Sequence, residues 1–181
     1  MKTLNEIYQR YSSKDGHGDK GTVHTYIDEY EKLLKDYRND VTFLEIGLFH
    51  GESIQMWSEY FNNSKIYGID INDRFVKHLM NDERFNIIIS DATDQNLINR
   101  FPKDIKFDVV IDDGSHKIND QVKTFNLLKD HMNPGGIYII EDIDNIDATK
   151  KTLTSLHDNC QVIDNRQIKK RWDDVLIVYK F

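Results

Sequence analysis

The sequence predicts a doubly wound α/β domain: a mostly parallel seven-stranded sheet with helices on both faces and an antiparallel edge strand. Short apolar runs rich in β-branched residues recur along the chain and alternate with stretches of helical spacing. Several runs stop abruptly at carboxylates, as FDVVIDDGSH at 107–116 does. That is the pattern of a buried parallel strand ending in a polar turn. The last run, VLIVYKF, alternates like one strand of an edge hairpin.

At 181 residues the chain is expected to form one domain over 1–181, long enough for a sizeable core. Its formal net charge is -7, and the local cluster Lys169, Lys170 and Arg171 does not offset it. This argues against nucleic acid as a partner. Cys160 is the single cysteine, which excludes a disulfide framework and a cysteine-based zinc site. No apolar run is long enough to span a bilayer, so no membrane partner is expected. The N-terminus, MKTLNEIYQRYSSKDG, lacks the apolar core of a signal peptide, which makes a cytoplasmic location the default.

The polar loop SSKDGHGDKG leads into a helix expected from Thr22 to about Arg38. Its stripe Tyr26, Tyr30, Leu33, Leu34 and Tyr37 reads first as packing onto the sheet. Val41 to Ile46 is the first strong strand. It runs into Gly47-Leu-Phe-His-Gly51 and then a helix from Ser53 to Phe61. A glycine turn between strand and helix brings backbone close to a ligand. The spacing is not G-x-G-x-x-G and suits a cofactor without a pyrophosphate better than NAD. Lys65 to Ile71 is the second strand. Its Asp70 follows the glycine turn by about twenty positions, the interval at which an acid reaches ribose hydroxyls; capping of a helix near Asp73 is the competing role. Phe85 to Ser90 is the third strand, and Asp91-Ala92-Thr93 after it either meets an adenine or caps a short helix over 94–100. Phe107 to Ile111 is the fourth, followed by a helix from Asp120 to Met132 that Asn133-Pro-Gly-Gly136 should end. Ile137 to Ile140 is the fifth, ending in Glu141-Asp142. A helix near 145–156 and two strands, near 160–164 and 175–181, complete the chain, with Asp173-Asp174 in their turn.

Chemistry in such sheets gathers beyond the carboxyl ends of the strands. Asp113, Glu141 and Asp142 would meet at one edge with His116 nearby. Converging like charges repel unless protons or a cation compensate. Oxygen ligands without cysteine point to a hard divalent ion, Mg²⁺ first, then Mn²⁺ or Ca²⁺. The plainer alternatives are an acidic rim left in water and a capping turn at Asp113 or Ser115.

Taken together, LEIGLFHGES, YGIDI, VVIDDGSH and PGGIYIIEDI resemble the class I S-adenosylmethionine-dependent methyltransferases. More narrowly they are similar to the metal-dependent sugar O-methyltransferases of macrolide biosynthesis and the related cephalosporin-hydroxylase-like group. GDKGTVHTYIDEY is similar to that group's D-K-G…H-x-Y segment, with Gly18 where a threonine often stands. The resemblance implies a Rossmann-like methyltransferase sheet and S-adenosylmethionine as cofactor. It assigns Mg²⁺ to Asp113, Glu141 and Asp142, and the general base to His116, with Asp113 also catalytic. The turn from Glu45 through Gly47 and Gly51 to Ser53 would lie along the methionine part. Asp70 and Ile71 would hold the ribose, Asp91 and Ala92 the adenine, and Asp112 the region of the reacting methyl. Lys20, Thr22 and Tyr26, within an N-terminal loop and helix over 1–40, would cover the cofactor. The implied partner is a small-molecule or glycan acceptor; a homo-oligomer that completes the cleft is a separate expectation, which no sequence feature carries. A catechol-type acceptor, an NAD oxidoreductase, and a cofactor-binding or metal-binding protein without turnover are the alternatives.

Overall fold

A computed structural model describes residues 1–12 and 18–181; the loop residues at 13–17 lie outside the described residues. Seven strands form one sheet: β1 (Thr42–Ile46), β2 (Lys65–Asp70), β3 (Phe85–Ile89), β4 (Phe107–Asp112), β5 (Met132–Ile140), β6 (Cys160–Asp164) and β7 (Val175–Lys180). Their order is β3-β2-β1-β4-β5-β7-β6. Strands β1 to β5 pair in parallel. Antiparallel pairing is confined to the β7–β6 hairpin side, where β7 lies against β5.

Among the described residues, six α-helices surround the sheet: α1 (Leu4–Tyr11), α2 (Tyr26–Leu34), α3 (Glu52–Tyr60), α4 (Ile118–Leu128), α5 (Ile146–Thr154) and the short α6 (Arg166–Lys169). Alternation along the strands sorts the core into two layers. Phe43, Val109, Ile111, Ile139 and Val178 face Leu4, Tyr30 and Trp57 of α1, α2 and α3. Leu44, Val110, Tyr138, Ile140 and Ile177 face Phe125 and Leu128 of α4 and Leu153 of α5. Both faces of the sheet are therefore buried, as near-continuous apolar strands require.

Several expectations need correcting. Residues 4–11 form a helix, started by a capping box between Thr3 and Glu6. The helix expected from Thr22 begins at Tyr26, because Asp19 and Lys20 carbonyls first close turns on Val23, His24 and Tyr26. The short helix over 94–100 is reduced to a 3₁₀ turn at Leu97–Arg100. The tetrapeptide Asn133–Gly136 does not end α4. That helix stops at Leu128, and the tetrapeptide bulges within β5, between the pairs Phe107–Met132 and Val109–Ile137. Asp173 and Asp174 lie in the connection between β6 and β7, as expected, but α6 occupies its first half, so that connection is longer than a hairpin turn. Both are buried, and Asp174 accepts hydrogen bonds from the Thr25 amide and hydroxyl.

Candidate active site

The chain leaves β1 for β2 on one side and reaches β4 on the other, so β1 and β4 flank the point where the winding reverses. Ligand clefts of open α/β sheets form there. Backbone bonds stitch the strand ends together: Gly47 N to Ile69 O, Asp113 N to Ile46 O, and Glu141 N to Asp112 O, each at 2.9 Å. Gly47 has φ +82°, and a Cβ on it would stand 2.0 Å from the Asp113 carbonyl oxygen. Only glycine lets the β1 turn pass that close to the β4 turn.

A cleft of about 330 Å³ opens at this edge, lined by Gly47, Asp70, Ile71, Asp91, Ala92 and Asp112 among others. Thr93, from the Asp91-Ala92-Thr93 segment, also lines it, and Ser90, Gln121 and Thr124, which the motifs did not single out, add to its polar wall. Asp70 Oδ2 accepts from the Leu48 and Phe49 amides, at 2.9 and 3.1 Å, which fixes its carboxylate against the turn. Asp112 is buried beneath, in contact with Tyr138 OH at 3.2 Å. Burial pushes its carboxyl up to about 7, against the opposing Gly114 and Tyr138 hydrogen bonds.

A second cavity of the same size adjoins the first and shares Gly47, Asp70 and Gly114 with it. Asp113, His116 and Asp142 face it together with Asp19 and Phe49. One donor atom from each of Asp113, His116 and Asp142 lies within 4.8 Å of the others. Two of these residues hold left-handed backbone angles, His116 at φ +57° and Asp142 at φ +53°. Such conformations cost about 1–3 kcal/mol and cluster at functional sites.

Glu141 lies deeper than its two acidic neighbours. Lys20 Nζ, itself buried, donates to Glu141 Oε1 and to Asp113 Oδ2, both at 2.6 Å, with Glu45 Oε1 at 3.9 Å. Tyr30 OH donates to the same Glu141 oxygen at 2.5 Å. Burial raises the Glu141 and Asp113 carboxyls, with the Lys20 charge opposing. Asp142 moves the other way: burial would raise it, but the hydrogen bond and charge of His24 outweigh that and lower it. His24 Nδ1 lies 2.9 Å from Asp142 Oδ1, and Tyr26 OH donates to that oxygen at 2.7 Å. One ammonium and one histidine thus partly neutralise four acids, and donor chemistry of this kind fits a divalent cation at Asp113 and Asp142.

The structure brings most of the anticipated residues to this edge and sets others apart. Lys20 and Tyr26 lie on the acids rather than in the cleft, and Thr22 is exposed, bonded to the Gly18 carbonyl. Glu45 is buried behind the turn, accepting from Trp57 Nε1 at 3.2 Å, and burial pushes its carboxyl up to about 7 against the Lys20 charge. Ser53 lines a small separate pocket beside Lys20, and Gly51 packs against Leu79. His24 and Tyr30 went unrecognised as site residues; the one available signal was their place in GDKGTVHTYIDEY.

A family model described as a methyltransferase domain matches residues 40–177. Demethylmacrocin O-methyltransferase of Streptomyces fradiae is 33% identical over 190 residues, covering 94% of this chain and 46% of that protein. Mycinamicin VI 2''-O-methyltransferase of Micromonospora griseorubida is 37% identical over 150 residues, covering 77% and 36%. The MycE methyltransferase of the mycinamycin pathway, solved with Mg and SAH, superposes with a TM-score of 0.76 at 28% identity. That superposition covers 99% of this chain and 55% of the other. The chain therefore spans between about a third and just over half of the length of these three proteins.

Proposed function

The chain belongs to the methyltransferase-domain family, and from that premise we propose that it is a Mg²⁺-dependent O-methyltransferase. It moves the methyl group of S-adenosylmethionine to a hydroxyl of a sugar unit in a glycan or natural product. The observation that carries this reading is the pair of adjoining cavities. One has the acid and the polar wall that an adenosine needs, the other the acids and the histidine, and Gly47, Asp70 and Gly114 border both.

Asp70 and Ile71 hold the ribose, Asp91 and Ala92 the adenine, and Gly47 the start of the methionine part. Asp113 and Asp142 bind the divalent ion, with Glu141 behind them fixed by Lys20. When bound, the sulfonium supplies an electrophilic methyl and the ion lowers the pKa of a chelated hydroxyl. His116, on the cavity wall 4.0 Å from Asp113 Oδ1, accepts the acceptor's proton at its imidazole. Alignment of the two substrates across the Gly47–Gly114 border does the rest. Among the described residues, the acceptor cavity is lined by polar and charged groups with Phe49 as its large apolar side chain, which favours a sugar over a catechol.

Isothermal titration with S-adenosylmethionine and with NADH, each with and without Mg²⁺, tests the cofactor. Transfer of labelled methyl to glycosylated acceptors then tests the reaction. Micromolar binding of S-adenosylmethionine with no NADH signal is the expected result. A folded sample silent to S-adenosylmethionine would exclude the methyltransferase reading.

A further inference from the structure

Two of the acids that face the second cavity, Asp113 and Asp142, each have one carboxylate oxygen hydrogen-bonded by buried side chains. Lys20 takes Asp113 Oδ2, while His24 Nδ1 and Tyr26 OH both take Asp142 Oδ1. Among the described residues, no hydrogen bond is directed at Asp113 Oδ1 or Asp142 Oδ2. The three clamping side chains come from one stretch, residues 20–26, and each is at most 2% exposed. A carboxylate with one oxygen committed to strong donors has a single oxygen left to offer a cation. Cations differ in what they make of that. Mg²⁺ demands a tight octahedron at about 2.0–2.1 Å and is served by one oxygen from each acid. Ca²⁺ gathers about 6–8 oxygens at longer range and often takes both oxygens of one carboxylate.

We propose that His24 and Tyr26 are positioning residues that set the ion preference of this site, by holding Asp142 to one-oxygen coordination and so favouring Mg²⁺ over Ca²⁺. This rests on the divalent-ion reading of the acids given above. In this role the two residues act through Asp142, whose Oδ1 both of them hold. Without them the carboxylate is free to rotate and present both oxygens, which removes the penalty on the larger ion. Loss of outer partners of this kind typically costs about 10–100-fold in metal affinity.

The test is titration of the full chain with MgCl₂ and, separately, CaCl₂, for the wild type and three variants: Tyr26→Phe, His24→Leu and His24→Asn. The wild type should bind Mg²⁺ at least about tenfold more tightly than Ca²⁺. Tyr26→Phe and His24→Leu should each weaken Mg²⁺ by about 10–100-fold while changing Ca²⁺ far less, so that the ratio collapses. His24→Asn keeps an amide donor near the Nδ1 position and should restore the ratio. Thermal unfolding in chelator checks that each variant is folded, and the Leu–Asn pair at His24 decides the matter alone if Tyr26→Phe does not fold. A wild-type preference for Ca²⁺, or variants that keep the wild-type ratio, would overturn the proposal and leave the metal site standing. A wild type that binds neither ion would overturn both.

Discussion

His116 carries a backbone strain that a capping turn does not need, and its ring shares a cavity with Asp113 and Asp142. Loss of a positioned proton acceptor typically costs about 10²–10⁴-fold in rate. His116→Ala should therefore cut turnover by about that factor, while titration shows the affinity for S-adenosylmethionine unchanged. Asp112 makes a different prediction, about stability. Burial raises its carboxyl to about 7 in the folded chain, well above its ordinary range. A raised acid is an ionisation the fold resists, so the unfolded state loses that proton first. Stability from this group is highest below pH of about 4, falls as pH rises, and reaches its floor above about 7. Asp112→Asn keeps the oxygen that meets Gly114 N and removes the charge. Its melting temperature should fall less than the wild type's between pH 5 and pH 8; an equal or steeper fall would exonerate Asp112.

At the scale of elements, the turn from β1 to α3 and the turn after β4 are packed backbone against backbone. Gly47→Ala puts a methyl into the Asp113 carbonyl at a positive φ, so it should destabilise by more than about 1 kcal/mol and displace Asp113. Urea unfolding measures the first effect, and loss of Mg²⁺ affinity the second. The central strands β1, β2, β4 and β5 and the last strand β7 were legible because they are apolar runs buried on both faces, and the acids were legible because they stop those runs. Helix α1 was not: its buried residues are Leu4, Ile7 and Tyr8 amid polar neighbours, and only the Thr3–Glu6 capping box marked it. Nor was the role of the first tyrosines. Helical spacing places Tyr26 and Tyr30 toward the sheet, but says nothing about a hydroxyl reaching an acid more than a hundred positions away. The bulge at Asn133–Gly136 hid for a similar reason, since Pro-Gly-Gly ends helices as readily as it interrupts a strand edge.

Over the whole molecule, a charge deficit is concentrated at one edge of the sheet. An ion that binds only the folded chain stabilises it by mass action, about 2.7 kcal/mol at a hundred times its Kd. For a chain of this size each kcal/mol raises the melting temperature by roughly 2–4 °C. Saturating Mg²⁺ should thus raise it by roughly 5–11 °C, and chelation should reverse the gain; no shift in scanning calorimetry would count against an ion at these acids. The clamp on those acids also has a kinetic side. Lys20, Tyr26 and Tyr30 reach partners 93 to 121 positions further along the chain. Closing a loop that long has an entropic cost that must be met before the first of these bonds forms. Adjacent strand–helix–strand units can pair much sooner. Refolding should accordingly assemble the sheet first and the acid cluster last, so that competence to capture an ion reports the final step of folding.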